Sequence, residues 1–136
     1  MIQDLPIILA IHSDWGIALL RLVVGGILLT HGWPKIKNLQ STQQFFHGIG
    51  FHPGWLWGTV AAIVETVGGA LLVLGVFVRP VAFFVLGQFA VILAWRLVRR
   101  DPLKAFELDL LIFAASVALI TLGAGSFAAS VTVFGF

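Results

Sequence analysis

The sequence predicts an all-α integral membrane protein, a bundle of about four transmembrane helices. Apolar residues make up 60% of its 136 residues, charged residues only 10%, and the mean hydropathy is +1.06. A soluble domain needs a polar exterior that so few charges cannot cover, whereas lipid accepts an apolar exterior directly. The apolar runs are continuous rather than alternating, which favours helices over the strands of a membrane barrel.

Four apolar runs are long enough to span a bilayer. They cover residues 15–33, 57–77, 80–98 and 105–123. Each is close to the ~20 residues that a helix needs to cross ~30 Å of hydrocarbon. Helix breakers separate the runs, at Pro34, Pro53-Gly54, Arg79-Pro80 and Asp101-Pro102. Asp101 as N-cap and Pro102 at the first helical position predict the start of the fourth helix.

The ends of the chain are predicted to differ from the bundle. Residues 1–14 form an interfacial lead-in, residues 15–130 the four-helix domain, and residues 131–136 a C-terminal tail. The lead-in has no Lys or Arg, which the positive region of a cleavable signal would require. Ser13 and Asp14 are the predicted N-cap of a helix that starts at Trp15.

Basic residues predict the orientation of the bundle. Six flank the first and third loops: Lys35, Lys37, Arg96, Arg99, Arg100 and Lys104. The second loop has only Arg79, and the two tails have none. The positive-inside rule therefore places loops one and three in the cytoplasm and both termini outside.

Several classes of protein are disfavoured. The net charge of +2 is scattered over the ends of apolar runs, which argues against nucleic-acid binding. The chain has no cysteine, so a disulfide, a thiolate metal site and a redox dithiol are excluded. His47 and His52 lack a helical ligand spacing, and only His31 lies where a membrane haem could use it, so we expect neither metal nor haem.

Two ionisable residues lie well inside apolar runs, Arg21 in the first and Glu65 in the second. A lone charge there costs about 2.5–3.5 kcal/mol, so a partner is required. If Trp33 and Trp57 mark the same membrane face, the two charges lie at depths of ~18 and ~12 Å, within reach of an Arg side chain. We therefore predict an Arg21–Glu65 pair, which serves either as a functional site or as a structural clasp between two helices.

Small residues indicate which helix faces point into the bundle. Glu65 shares a face with Gly58, Ala61, Gly68 and Gly69, and Glu107 shares one with Ala114 and Ala118, so both acids are predicted to point inward. Asp109 is predicted to point away, and Gln88 to join helices by a hydrogen bond. The Phe-rich first loop is predicted to lie on the membrane or cover the mouth of the bundle.

These features resemble one family. The motifs His31-Gly32-Trp33-Pro34-Lys35 and Glu65-Thr66-Val67-Gly68-Gly69, together with Arg21, Arg79, Glu107 and Gly123-Ala124-Gly125, are similar in order and spacing to those of the DoxX family. The resemblance covers roughly residues 15–130.

The resemblance implies a four-helix protein of the bacterial inner membrane, related to the membrane subunit of thiosulfate:quinone oxidoreductase. It implies a quinone as cofactor. Four residues would serve the headgroup as hydrogen-bond donors or proton acceptors: Glu65, Arg21, His31 and Glu107. Three more would complete the cofactor site: Lys35, Arg79 and Gly69.

Three functions remain open at this stage. The first is a quinone-binding component of an oxidoreductase, whose electrons must come from the substrate or a redox partner because the sequence shows no electron carrier. The second is a non-catalytic subunit that anchors a soluble redox enzyme. The third is a small proton- or anion-coupled transporter. Membrane lipid is an expected partner, and the glycine-rich faces also permit a homo-oligomer.

Overall fold

The computed structural model describes the backbone of residues 5–128 and the side chains of residues 12–128. It contains five helices in that range: α1 (Leu5–Lys37), α2 (Leu39–Gly48), α3 (Gly54–Leu74), α4 (Val78–Val98) and α5 (Leu103–Leu122). Four of them are long and apolar enough to cross a membrane: the part of α1 from His12 to Lys37, and α3, α4 and α5. The prediction of an all-α membrane bundle is confirmed.

Helix α1 is longer than predicted at both ends. It begins at Leu5 rather than Trp15 and continues through Pro34 to Lys37. Asp14 does not cap this helix, because its carboxylate accepts hydrogen bonds from the Ser126 amide (3.3 Å) and hydroxyl (2.6 Å). Pro34 lies in the last turn of α1, and its carbonyl oxygen still accepts a hydrogen bond from the Asn38 amide at 3.0 Å, so the helical path continues past it. The predicted tail at residues 131–136 lies outside the described residues.

Helix α3 ends three residues earlier than predicted. Gly75 adopts the left-handed conformation at φ 74°, and its amide donates to the carbonyl oxygens of the last turn of α3. A residue without Cβ adopts this conformation at little cost, which makes glycine the usual helix terminator. The turn is short, because α4 begins at Val78 and accepts Pro80 in its first turn.

Close backbone contact between α1 and α3 fixes the register of this pair. A Cβ added at Gly25 would lie 2.6 Å from the Gly69 carbonyl oxygen, and one at Gly32 would lie 2.6 Å from the Thr66 nitrogen. Glycine at such positions lets helix backbones approach to distances that any side chain would prevent. Gly69 is therefore a helix-contact residue.

The amphipathic helix α2 occupies the predicted first loop and packs on the start of α3. A Cβ at Gly58 would meet the Gln43 backbone at 2.8 Å, and the Gln43 side chain donates to Thr59 Oγ1 at 2.9 Å. His47 and His52 are joined through their Nδ1 atoms at 3.0 Å. These contacts place the Phe-rich segment beside α3.

The apolar core occupies one half of the bundle. Its buried members include Leu28 of α1, Leu72 of α3, Val85 of α4 and Leu119 of α5, all completely inaccessible. In α3, α4 and α5 these residues lie in the half of each helix nearest the α3–α4 turn. A cavity lies mostly in the other half, toward the α4–α5 loop.

Candidate functional site

A cavity of about 520 Å³ lies between the helices on the side of the α4–α5 loop. All five helices contribute to its wall. Its aromatic side chains are Phe45, Phe46, Phe51, Trp57, Phe83, Phe84, Phe89 and Trp95. Its polar side chains are His31, Lys35, Glu65, Gln88, Arg96 and Asp109. This volume is typical of sites for small organic molecules, which combine apolar walls with a few polar groups.

Glu65 is the centre of the polar cluster. Its side chain is 2% exposed, and Lys35 Nζ donates to both carboxylate oxygens, at 2.6 Å to Oε1 and 2.5 Å to Oε2. Gln88 Nε2 donates to Oε1 at 2.6 Å. A carboxylate only accepts, so the bond identifies the amide nitrogen of Gln88 as the group turned toward it. The negative charge deep in α3 is thus matched by a cation from α1 and an amide from α4.

The predicted Arg21–Glu65 pair is wrong. Arg21 donates instead to backbone carbonyl oxygens, from Nη1 to Leu72 at 3.1 Å and from Nη2 to Phe127 at 3.0 Å. The prediction assumed that Trp33 and Trp57 are level. Gly32, next to Trp33, packs against Thr66, nine residues along α3 from Trp57, a rise of ~13 Å. This shift carries Arg21 toward the α3–α4 turn and brings Lys35 to Glu65.

Arg21 therefore acts as a structural clasp at the end of the bundle opposite the α4–α5 loop. It is 2% exposed and holds the segment that follows α5 against the last turn of α3. Arg79 lies at the same end, exposed, with its guanidinium against Gly123. Neither arginine lines the cavity.

The two acids near the start of α5, Glu107 and Asp109, point in directions opposite to those predicted. Glu107 is exposed and does not line the cavity, whereas Asp109 is partly buried and does. Asp109 Oδ2 lies 3.4 Å from Arg96 Nε, and Arg96 Nη1 also donates to Asp101 at 3.4 Å. Helix α5 is rotated relative to its predicted orientation because Phe106 and Ile112 are the buried residues of this segment.

Of the seven predicted site residues, the structure brings Lys35, Glu65 and His31 to the cavity. Gly69 lies in the α1–α3 contact and outside the cavity wall. Sequence reasoning missed Arg96 and Asp109 as cavity residues and assigned Gln88 only to helix packing. The polarity of these three residues in or beside apolar runs was the available signal. The direction in which each side chain points depends on the rotation of its helix, which the sequence does not show.

Comparisons with known proteins agree with this architecture. The family model described as DoxX matches residues 16–98. The inner membrane protein YqjF of Escherichia coli (strain K12) is 31% identical over 75 residues, 55% of this chain and 56% of that protein. Inner membrane protein YphA of the same strain is 32% identical over 71 residues, 49% of this chain and 51% of that protein.

The matched segment thus spans about half the length of each of these curated relatives. No solved structure matches the chain significantly. The region matched by the family model contains α2, α3 and α4 completely and most of α1, and therefore includes the Lys35–Glu65–Gln88 cluster.

Proposed function

Because the chain belongs to the DoxX family and encloses an aromatic cavity beside a buried acid, we propose that it binds a quinone there, as the membrane component of a quinone-linked oxidoreductase. It is a multi-pass protein of the inner membrane. The observation that carries the proposal is the Lys35–Glu65–Gln88 cluster, which faces the cavity among eight aromatic side chains.

The hydrogen-bonding groups of the cluster that remain unused suit both the oxidised and the reduced form of a quinone headgroup. Lys35 remains 31% exposed beside the cavity, and its ammonium has three N–H donors, which suits the carbonyl oxygen of a quinone. Gln88 Oε1 has no hydrogen-bond partner among the described residues, so it suits the hydroxyl of a quinol. Planar aromatic walls favour stacking or edge contacts with the ring.

Glu65 has a supporting part in this arrangement. Its two oxygens already accept three bonds from Lys35 and Gln88, so it holds these groups in position rather than presenting a free carboxylate. Electrons would have to come from a substrate or a redox partner, and quinone chemistry at this site would then draw protons through the same polar groups.

Binding of a ubiquinone with two isoprene units to protein in nanodiscs tests the proposal. Wild type is expected to show saturable quenching of tryptophan fluorescence, because Trp57 and Trp95 line the cavity. Gln88→Leu and the double variant Lys35→Met/Glu65→Gln are expected to weaken binding about tenfold, through lost hydrogen bonds to the headgroup. Glu107→Gln, outside the cavity, is the matched control.

Other results would reject the proposal. Equal affinity in wild type and both cavity variants would show that the quinone binds elsewhere. Absence of quinone binding, with a soluble redox enzyme held stably by the purified protein, would establish the role of a membrane anchor. Anion uptake into vesicles that Glu65→Gln abolishes, again without quinone binding, would establish a transporter.

We further propose that the cavity end of the bundle faces the cytoplasm. Lys35 is paired with Glu65, which leaves five basic side chains near the α1–α2 and α4–α5 ends against Arg79 and the buried Arg21 at the other end. The chain has no cysteine, so single substitutions at the exposed residues Ser41 and Ser126 report sidedness. In intact spheroplasts an impermeant maleimide is expected to label Ser126→Cys and spare Ser41→Cys, and the reverse pattern would invert the orientation.

A further inference from the structure

The cavity is not confined to the interior of the bundle. Seven apolar residues of its wall are exposed. Three of them lie toward the α4–α5 loop: Phe45 at 60%, Trp57 at 45% and Leu108 at 38%. The other four are Val60 of α3 at 40% and three residues of α4, Phe83 at 65%, Phe84 at 64% and Val91 at 51%. The cavity therefore opens to the outside of the bundle along the α3–α4 seam.

This opening lies at the depth of the hydrocarbon. Phe83 and Phe84 are five and six residues into α4, a rise of ~8–9 Å from its first residue, and Val91 lies about two turns further on. Because α4 is apolar over most of its length and long enough to cross a membrane, we expect the exposed faces of these residues to contact lipid tails.

The six polar side chains of the cavity wall lie from the middle of the bundle toward the α4–α5 loop, with aromatic side chains around them. Along α4, the polar residues Gln88 and Arg96 lie from the middle of the helix toward the α4–α5 loop. On the other side of Gln88 the wall consists of Phe83, Phe84 and Gly87. A molecule bound here meets hydrogen-bonding groups at one end and only hydrocarbon surface at the other.

Gly87 leaves space in the apolar part. A Cβ added at this residue would meet nothing within 4 Å, although the residue lines the cavity. The distance along α4 from Gln88 to Phe84 is four residues, ~6 Å, which is close to the length of one extended isoprene unit.

We propose that the ligand enters from the bilayer between α3 and α4 and that its isoprenoid tail leaves the site past Phe83, Phe84 and Gly87. The proposal therefore restricts the ligand to quinones that carry an isoprenoid tail and dissolve in the membrane. This inference rests on the proposed function, since the headgroup is held by Lys35 and Gln88. The first isoprene units contact protein and the later units lie in lipid.

The test compares a tail-less benzoquinone with the same ring carrying two or four isoprene units, in nanodiscs of one lipid composition. Affinity is expected to rise from the tail-less ring to two units and to level off by four. Gly87→Leu is expected to weaken the two-unit quinone about tenfold and to leave the tail-less ring unchanged, because the added side chain occupies the path of the tail.

Two matched variants sharpen the comparison. Ala90→Leu adds a similar side chain to an exposed residue of α4 outside the cavity wall, and it is expected to change neither affinity. Gly87→Ala controls for helix propensity and is expected to retain most of the affinity. Partitioning of each quinone into the bilayer is the same for all variants, so it cancels in their affinity ratios.

The inference is overturned if Gly87→Leu weakens both quinones equally or neither of them. The proposed function survives that result as long as the Lys35 and Gln88 variants still reduce binding of the tail-less ring. Failure of every quinone to bind wild-type protein would overturn the inference and the proposed function together.

Discussion

Replacing Lys35 with methionine is expected to destabilise the protein by about 3 kcal/mol, the low end of the cost of breaking a buried ion pair, because Lys35 itself is 31% exposed. Glu65 is 2% exposed, and Lys35 supplies its only cationic contact among the described residues. Without Lys35 the carboxylate retains the amide of Gln88, which cannot balance a buried charge. Thermal unfolding in mild detergent, followed by tryptophan fluorescence, measures the loss.

A double variant separates charge from packing in this prediction. In Lys35→Met/Glu65→Gln the new amide oxygen at residue 65 can still accept from Gln88, and no unpaired charge is buried. Most of the stability lost in Lys35→Met is therefore expected to return. Lys37→Met removes an exposed lysine two residues away and is expected to have little effect. A double variant as unstable as Lys35→Met would show that the lysine acts through packing rather than through Glu65.

Replacing Gly25 with alanine is expected to destabilise the protein by about 1–3 kcal/mol, the typical cost of overpacking a tight contact. The new Cβ would lie 2.6 Å from the Gly69 carbonyl oxygen and 3.0 Å from the Val73 nitrogen. Both neighbours are backbone atoms and cannot rotate away, so α1 and α3 must separate. The same unfolding measurement detects the loss, and weaker tryptophan quenching by quinone would show that separation also disturbs the site.

Gly26→Ala is the matched control because it lies next in the same helix. A Cβ at Gly26 meets nothing within 4 Å, so this variant is expected to match or slightly exceed the stability of wild type. Equal destabilisation by the two variants would mean that helix flexibility at this point, rather than contact with α3, makes glycine necessary.

The spans of the bundle were predictable because lipid imposes a simple rule on sequence. Each crossing needs about twenty apolar residues, and α3, α4 and α5 differ from the predicted segments by three residues or fewer at either end. The start of α1 was missed because Ser13 and Asp14 are typical cap residues. The Asp14 carboxylate instead accepts hydrogen bonds from Ser126, which follows α5. A local signal cannot show that a distant segment uses the same side chain.

The sequence by itself determined that the protein is a membrane bundle and that Glu65 requires a partner, because both follow from the cost of placing polar groups in hydrocarbon. Only the tertiary structure decided that this partner is Lys35. That choice depends on the axial register of α1 against α3, which close contacts at Gly25 and Gly32 set. The tertiary structure likewise decided the rotation of α5, which turns Asp109 inward. Register and rotation come from packing between helices, and no single helix encodes them.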